Sequence, residues 1–225
     1  MTEEQSAFTK KHVEEVSPSK RTLLDELNLP PKVTEFIRQN ENPIKIVLIA
    51  IVVLICANTF WNYYSLKQKN DSASLLAQAM SQTEDATRIE QLKKVVDQYS
   101  GSGAALWGEV TLAQQMLEDE KYQEAVDTYN GIINNVSDDN PIYPLILQDL
   151  ARAYELKGAF EDGLKQYAAL REIEGFTTIG YLGEARLYEQ MGEKDQAKDA
   201  YEKALTQQGL SPAVQEWLEY KLDNI

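Results

Sequence analysis

The chain has 225 residues, with 36 acidic against 22 basic side chains and a formal charge of −14. So acidic a chain has no electrostatic reason to seek nucleic acid or an anionic lipid surface, and its mean hydropathy of −0.43 implies good solubility over most of its length. One cysteine excludes a disulfide framework, and one histidine, His12, far from Cys56 gives no zinc set.

Residues 1–20 are polar and mixed in charge, a composition that cannot bury enough apolar surface to order itself. "RTLLDELNL" at 21–29 has the spacing of a short amphipathic helix, interrupted by Pro30 and Pro31. "KVTEFIRQN" restarts a helix after proline, whose fixed φ suits a first turn, and "NENP" is expected to end it.

The segment Ile44 to Tyr64 then carries one charge in 21 residues, Lys45 at its edge. At about 1.5 Å per residue a helix of that length spans roughly one hydrocarbon core. It has no polar stripe of the kind a buried core helix of a soluble domain shows. Trp61, Tyr63 and Tyr64 cluster at one end, where aromatic rings favour the headgroup layer. The 43 residues before it include eight acids, unlike the short basic start of a cleaved leader, and no small-residue cleavage site follows. The segment is therefore expected to stay as a transmembrane anchor. Lys32, Arg38 and Lys45 on one flank outnumber Lys67 and Lys69 on the other, which points to a cytoplasmic N-terminus and an extracytoplasmic C-terminal domain. That domain, residues 65–225, holds 28 acids and 15 bases and no cysteine.

Beyond the anchor the apolar spacing is helical throughout, and Gly and Pro fall between the periodic stretches. Three of these stretches repeat one another: "LAQQMLEDEKYQEAVDTYNGII", "LARAYELKGAFEDGLKQYAAL" and "EARLYEQMGEKDQAKDAYEKAL". Ala113, Ala151 and Ala185 fall in register, as do Met116, Tyr154 and Tyr188. Ala125, Gly163 and Ala197 follow, and then Tyr129, Tyr167 and Tyr201, at offsets of 38 and 34. This order of small and aromatic residues over a period of 34 resembles the tetratricopeptide repeat. The resemblance implies an all-α, right-handed solenoid of helix pairs, with repeats near 106–143, 144–177 and 178–211. The first repeat has Glu120 where Gly158 and Gly192 make the turn, and four extra residues in "NNVSDDNP". "NDSASLLAQAMSQTEDATRIEQLKKVVDQY" reads as a capping helix pair upstream, and "PAVQEWLEYKLDN" as a capping helix with Trp217, Leu218 and Leu222 on one side.

No catalytic constellation emerges. There is no Cys–His or His-based acid–base pair, "GSG" at 101–103 lacks the lysine of a phosphate loop, and "NNVSDDN" lacks calcium-loop spacing. No enzyme activity, cofactor, metal or small-molecule substrate is expected. What remains is a surface. In tetratricopeptide arrays the first helices of each pair line a groove, and by register the resemblance assigns to it Trp107, Val110, Gln114 and Leu117, then Leu145, Gln148, Arg152 and Glu155, then Ile179, Leu182, Arg186 and Glu189. Apolar side chains beside Arg and Glu suit an extended or helical peptide. The family's basic clamp for terminal carboxylates is missing, because Val110 and Gln114 stand at its positions.

The order of a 43-residue cytoplasmic tail, one anchor and a small acidic repeat domain, with "ENPIKIVLIAIVV" and "NTFWNYY", resembles the bacterial ancillary Sec-translocon subunit family (YfgM type). The resemblance implies an inner-membrane protein with a periplasmic domain that binds proteins: translocon subunits, periplasmic chaperones or secreted chains. Two other readings stay open: an envelope scaffold for a secretion or division complex, and a cytosol-facing receptor on an organelle, which the flank charges oppose.

Overall fold

A computed structural model describes residues 29–225; residues 1–28 of the 43-residue tail, including the polar stretch 1–20 and all but the last residue of the helix expected over 21–29, lie outside them. The described residues form ten α-helices. They divide into two compact units, with the boundary between Tyr63 and Tyr64.

In the first unit, α1 spans Pro31–Gln39 with proline in its first turn, as the sequence predicts. It ends at "NENP" as expected, with Asn40 as its C-cap, but the rest of that segment is not a linker. The helix stops at Gln39, and Glu41 opens α2, Glu41–Met80, with Pro43 inside its first turn. A proline there removes only an amide that has no intrahelical acceptor anyway. The apolar stretch of α2 is long enough to cross a membrane, and none of it is buried in the protein; Leu54 is 68% exposed.

The second unit begins on the same helix. The upstream cap pair expected from "NDSASLLAQAM" is half supplied by α2 itself, which continues without a break to Met80. Neither Gly nor Pro occurs between Pro43 and Gly101 to stop it. Ser72 and Ala79 on this stretch are buried. The rest of that pair is α3, Asp85–Gln98.

Three helix pairs follow: α4 (Gly103–Glu118) with α5 (Tyr122–Ile133), α6 (Tyr143–Lys157) with α7 (Phe160–Arg171), and α8 (Thr177–Met191) with α9 (Lys194–Leu205). The last helix is α10, Pro212–Asn224. Each helix packs on the next from α3 to α10, which makes a solenoid-type stack. The α5–α6 connection has nine residues where the α7–α8 connection has five, so the extra residues of the first repeat fall in "NNVSDDNP".

The repeated small residues let paired helices close up. Ala113, Ala125, Ala151, Ala185 and Ala197 are all fully buried. Three apolar clusters result, one per pair, built around Tyr129, Tyr167 and Tyr201. The turns within the pairs need a left-handed residue after the first helix. Gly158 and Gly192 supply it at φ of 80° and 77°, and the following amides return to Tyr154 and Tyr188 carbonyls at 2.8 Å. In the first pair Glu120 takes the same conformation at φ of 60°, and Lys121 returns to Met116 at 2.8 Å.

Candidate protein-binding groove

The first helices of the pairs, α4, α6 and α8, lie side by side, with α10 in the position of a fourth. Two rows of side chains cross them. Trp107, Leu145 and Ile179 occupy the same register position on the three helices, 38 and 34 residues apart. All three are open to solvent, at 47%, 41% and 36%. Three large apolar side chains in a row, exposed on the surface of an acidic domain, are what a partner's apolar side chains can cover.

The second row is polar and joins each first helix to the next. Arg186 on α8 donates from Nε and Nη2 to the two oxygens of Glu155 on α6, at 2.8 and 2.7 Å. The same Nη2 donates to the Tyr167 hydroxyl at 2.7 Å, and the guanidinium stands 5.7 Å from the centre of that ring. Gln190 also donates to Glu155, at 2.5 Å. Burial works against the Glu155 charge, but the fork from Arg186 outweighs it and holds the carboxyl below the usual carboxylate range. One unit further on, Lys221 of α10 donates to both oxygens of Glu189 on α8, at 3.0 and 2.9 Å, and lies 5.8 Å from the Tyr201 ring centre. The Tyr201 hydroxyl donates to Glu189 at 2.9 Å. Glu155 and Glu189 are register equivalents 34 residues apart, and so are Arg152 and Arg186. A cation-to-glutamate rung thus repeats along the stack. Between α4 and α6 the link differs: Gln114 donates to Asp149 at 2.9 Å, with Tyr129 more distant at 3.4 Å.

Of the residues assigned to the groove by register, Trp107, Gln114, Leu145, Arg152, Ile179 and Arg186 are exposed, and Leu117, Gln148, Glu155, Leu182 and Glu189 are half-buried. Val110 is not on the surface. It is 2% exposed and packs in the first core with Ala113 and Tyr129. Val110 lies three residues before Ala113, so it shares that residue's inward stripe; the same register position opens partway as Gln148 and Leu182. Leu117 and Leu182 rest partly on the cores beneath them. On α10, Leu218 is fully buried, while Trp217 stays 44% exposed with its ring edge-on to Tyr201 at 5.8 Å.

Sequence reasoning did not pick out Leu156, Asp149, Gln190 or Lys221. Leu156 is 42% exposed and lines two hollows of the groove. Lys221 had a legible signal, since it stands 35 residues after Arg186 with the same charge.

A second polar cluster lies among α7, α8 and α9. Glu184 is buried there and accepts from Arg171 at 3.2 Å. Burial raises its carboxyl above the usual range, and Arg171 only partly opposes this. Among the described residues no group of three His, Cys, Asp or Glu side chains is placed to hold a metal ion.

Stacked helix pairs with an exposed apolar row and a repeating polar rung define a solenoid-type protein-binding module. The chain belongs to the tetratricopeptide repeat-like domain family, whose model matches residues 34–225. Among solved structures, PcrH from Pseudomonas aeruginosa matches with a TM-score of 0.47 and 15% identity, over 55% of this chain and 92% of that one. PcrH in complex with the chaperone binding region of PopB matches with a TM-score of 0.46 and 17% identity, over 56% of this chain and 97% of that one. No curated protein matches the chain.

Proposed function

We propose that this protein is a membrane-tethered interaction module of the bacterial inner membrane. Residues 44–64 cross the bilayer, the N-terminus is cytoplasmic, and the repeat domain works in the periplasm as an ancillary component of the translocon and its chaperone network. The observation that carries the reading is the solvent-open row of Trp107, Leu145 and Ile179, on a domain that continues from an apolar helix of which nothing is buried. A row of this kind offers a partner apolar surface to cover. The tether raises the local concentration of weak partners to about millimolar for short links, which lets a modest groove capture passing chains. The flank lysines and arginine support the orientation, and an acidic domain stays clear of a negative membrane surface.

Photo-crosslinking in intact native membranes tests this. A photoreactive residue replaces Trp107, Arg152 or Arg186 in turn, with exposed Lys198 on α9 as control, and adducts are identified by mass spectrometry. Translocon subunits, periplasmic chaperones or secreted chains captured from the groove positions and not from Lys198 support the reading. Adducts with division or secretion-machine components, or with cytosolic proteins, replace the translocon role with a scaffold or a cytosolic receptor. Adducts from Lys198 alone move the binding surface out of the groove.

A further inference from the structure

The ladder of cation–glutamate rungs has an open place at its first position. Arg186 takes Glu155, and Lys221 takes Glu189. The equivalent of Arg186 one unit earlier is Arg152, and the equivalent of Glu155 is Leu117. The first rung therefore has its cation and lacks its carboxylate. Among the described residues Arg152 makes no hydrogen bond and no ion pair, and it is exposed. Of the acids nearby, Glu155 feels the Arg152 charge but is held by Arg186 and Gln190, Asp149 accepts from Gln114, and Glu118 lines the same hollow without bonding to Arg152. Arg152 and Leu156 are shared by two adjoining hollows of about 210 and 440 Å³, one between α4 and α6 and one reaching α8. A guanidinium cannot shed its charge, so an open one in a groove needs an anionic partner or water.

We propose that Arg152 receives a side-chain carboxylate from the bound partner. A glutamate or aspartate of a segment lying in the groove completes the rung that Leu117 leaves empty, while the aliphatic part of that side chain rests on Leu117 and Leu156. The domain itself shows which chemistry fits: in the next two units the same position is filled by a glutamate. The inference deepens the groove reading and rests on it. It specifies a partner segment with apolar side chains for the exposed row and one acid among them. Such a pair is worth about a fivefold preference for Glu over Gln, at the upper end for an exposed pair because Arg offers a bidentate fork.

The test uses the full chain in lipid nanodiscs to select from a phage-displayed library of random dodecapeptides. Wild type, Arg152→Gln, Leu117→Glu and Trp107→Ala are compared, with folding checked by circular dichroism. The wild type should enrich apolar peptides with an acidic residue at one position. Arg152→Gln should keep the apolar positions and lose the acid. Leu117→Glu should lose it too, because that glutamate fills the rung from within. For a synthetic consensus peptide, replacing its acid by glutamine should weaken binding to wild type about fivefold and leave binding to Arg152→Gln unchanged. Apolar enrichment with no acid, or an acid retained by both rung variants, overturns the inference and leaves the groove standing. Enrichment that Trp107→Ala does not disturb, or none at all, removes the groove reading and the inference with it.

Discussion

Glu120 offers the sharpest test of how the repeat is built. It sits at φ of 60°, the left-handed region, at the position where the second and third pairs have glycine. For a residue with a Cβ that conformation costs about 1–2 kcal/mol. Glycine removes the cost but brings a floppier unfolded chain, worth about 0.5–1 kcal/mol in the opposite direction. Glu120 also puts a negative charge at the end of α4, where the helix dipole is negative, and its removal gains about 0.3 kcal/mol at an exposed position. The net expectation for Glu120→Gly is about 1 kcal/mol of added stability, or roughly 2–4 °C in Tm for a domain of this size. Glu120→Ala separates the contributions: it removes the charge and keeps the strained backbone, so it should gain only a few tenths of a kcal/mol. Gly158→Ala is the mirror experiment and should lose about 1 kcal/mol. Urea unfolding of the full chain in detergent micelles, followed by circular dichroism, reads all three, with the slope unchanged if only the folded state is affected. If Glu120→Gly is neutral or destabilising while Gly158→Ala costs the expected amount, the two turns are not equivalent and the register argument for the first pair is wrong.

The other predictions concern packing and pH. A Cβ at Gly183 would stand 2.3 Å from the Tyr167 ring, which is itself buried; Gly183→Ala should therefore destabilise by about 1–2 kcal/mol even after the gain in helix propensity, and a stabilised variant in the same urea assay would disprove the close α7–α8 approach. Glu184 titrates above the usual range in the folded state, so the folded chain holds this proton more tightly than the unfolded one and stability falls as pH rises through that interval. Glu184→Gln should remove this loss: the variant gains on wild type as pH rises above the ordinary glutamate range, and parallel stability curves through and above that range would contradict the assignment.

The sequence by itself determined the repeat. Small residues at Ala113, Ala151 and Ala185 and aromatics at Tyr129, Tyr167 and Tyr201 are local requirements of two helices packing closely, so they recur at a fixed period and can be read from one chain. The apolar stretch of α2 was equally legible, because its composition leaves no polar face. Its length was not, since helix ends depend on stop signals, and the sequence has none before Met80. The groove divides along the same line. Which helices carry it follows from the register. Which side chains are open depends on packing between units: Val110 is sealed in the first core, which takes in Ile146 and Leu150 of the next pair, while its equivalents Gln148 and Leu182 are half open. The rungs are likewise tertiary facts. Arg186 meets Glu155 across 31 residues, and Lys221 meets Glu189 across 32. The close approach of Gly183 to Tyr167, and the two hollows that Leu156 lines, exist only because successive pairs stack on one another. Periodicity records the contacts each unit makes within itself, and stacking geometry alone decides what the units present together.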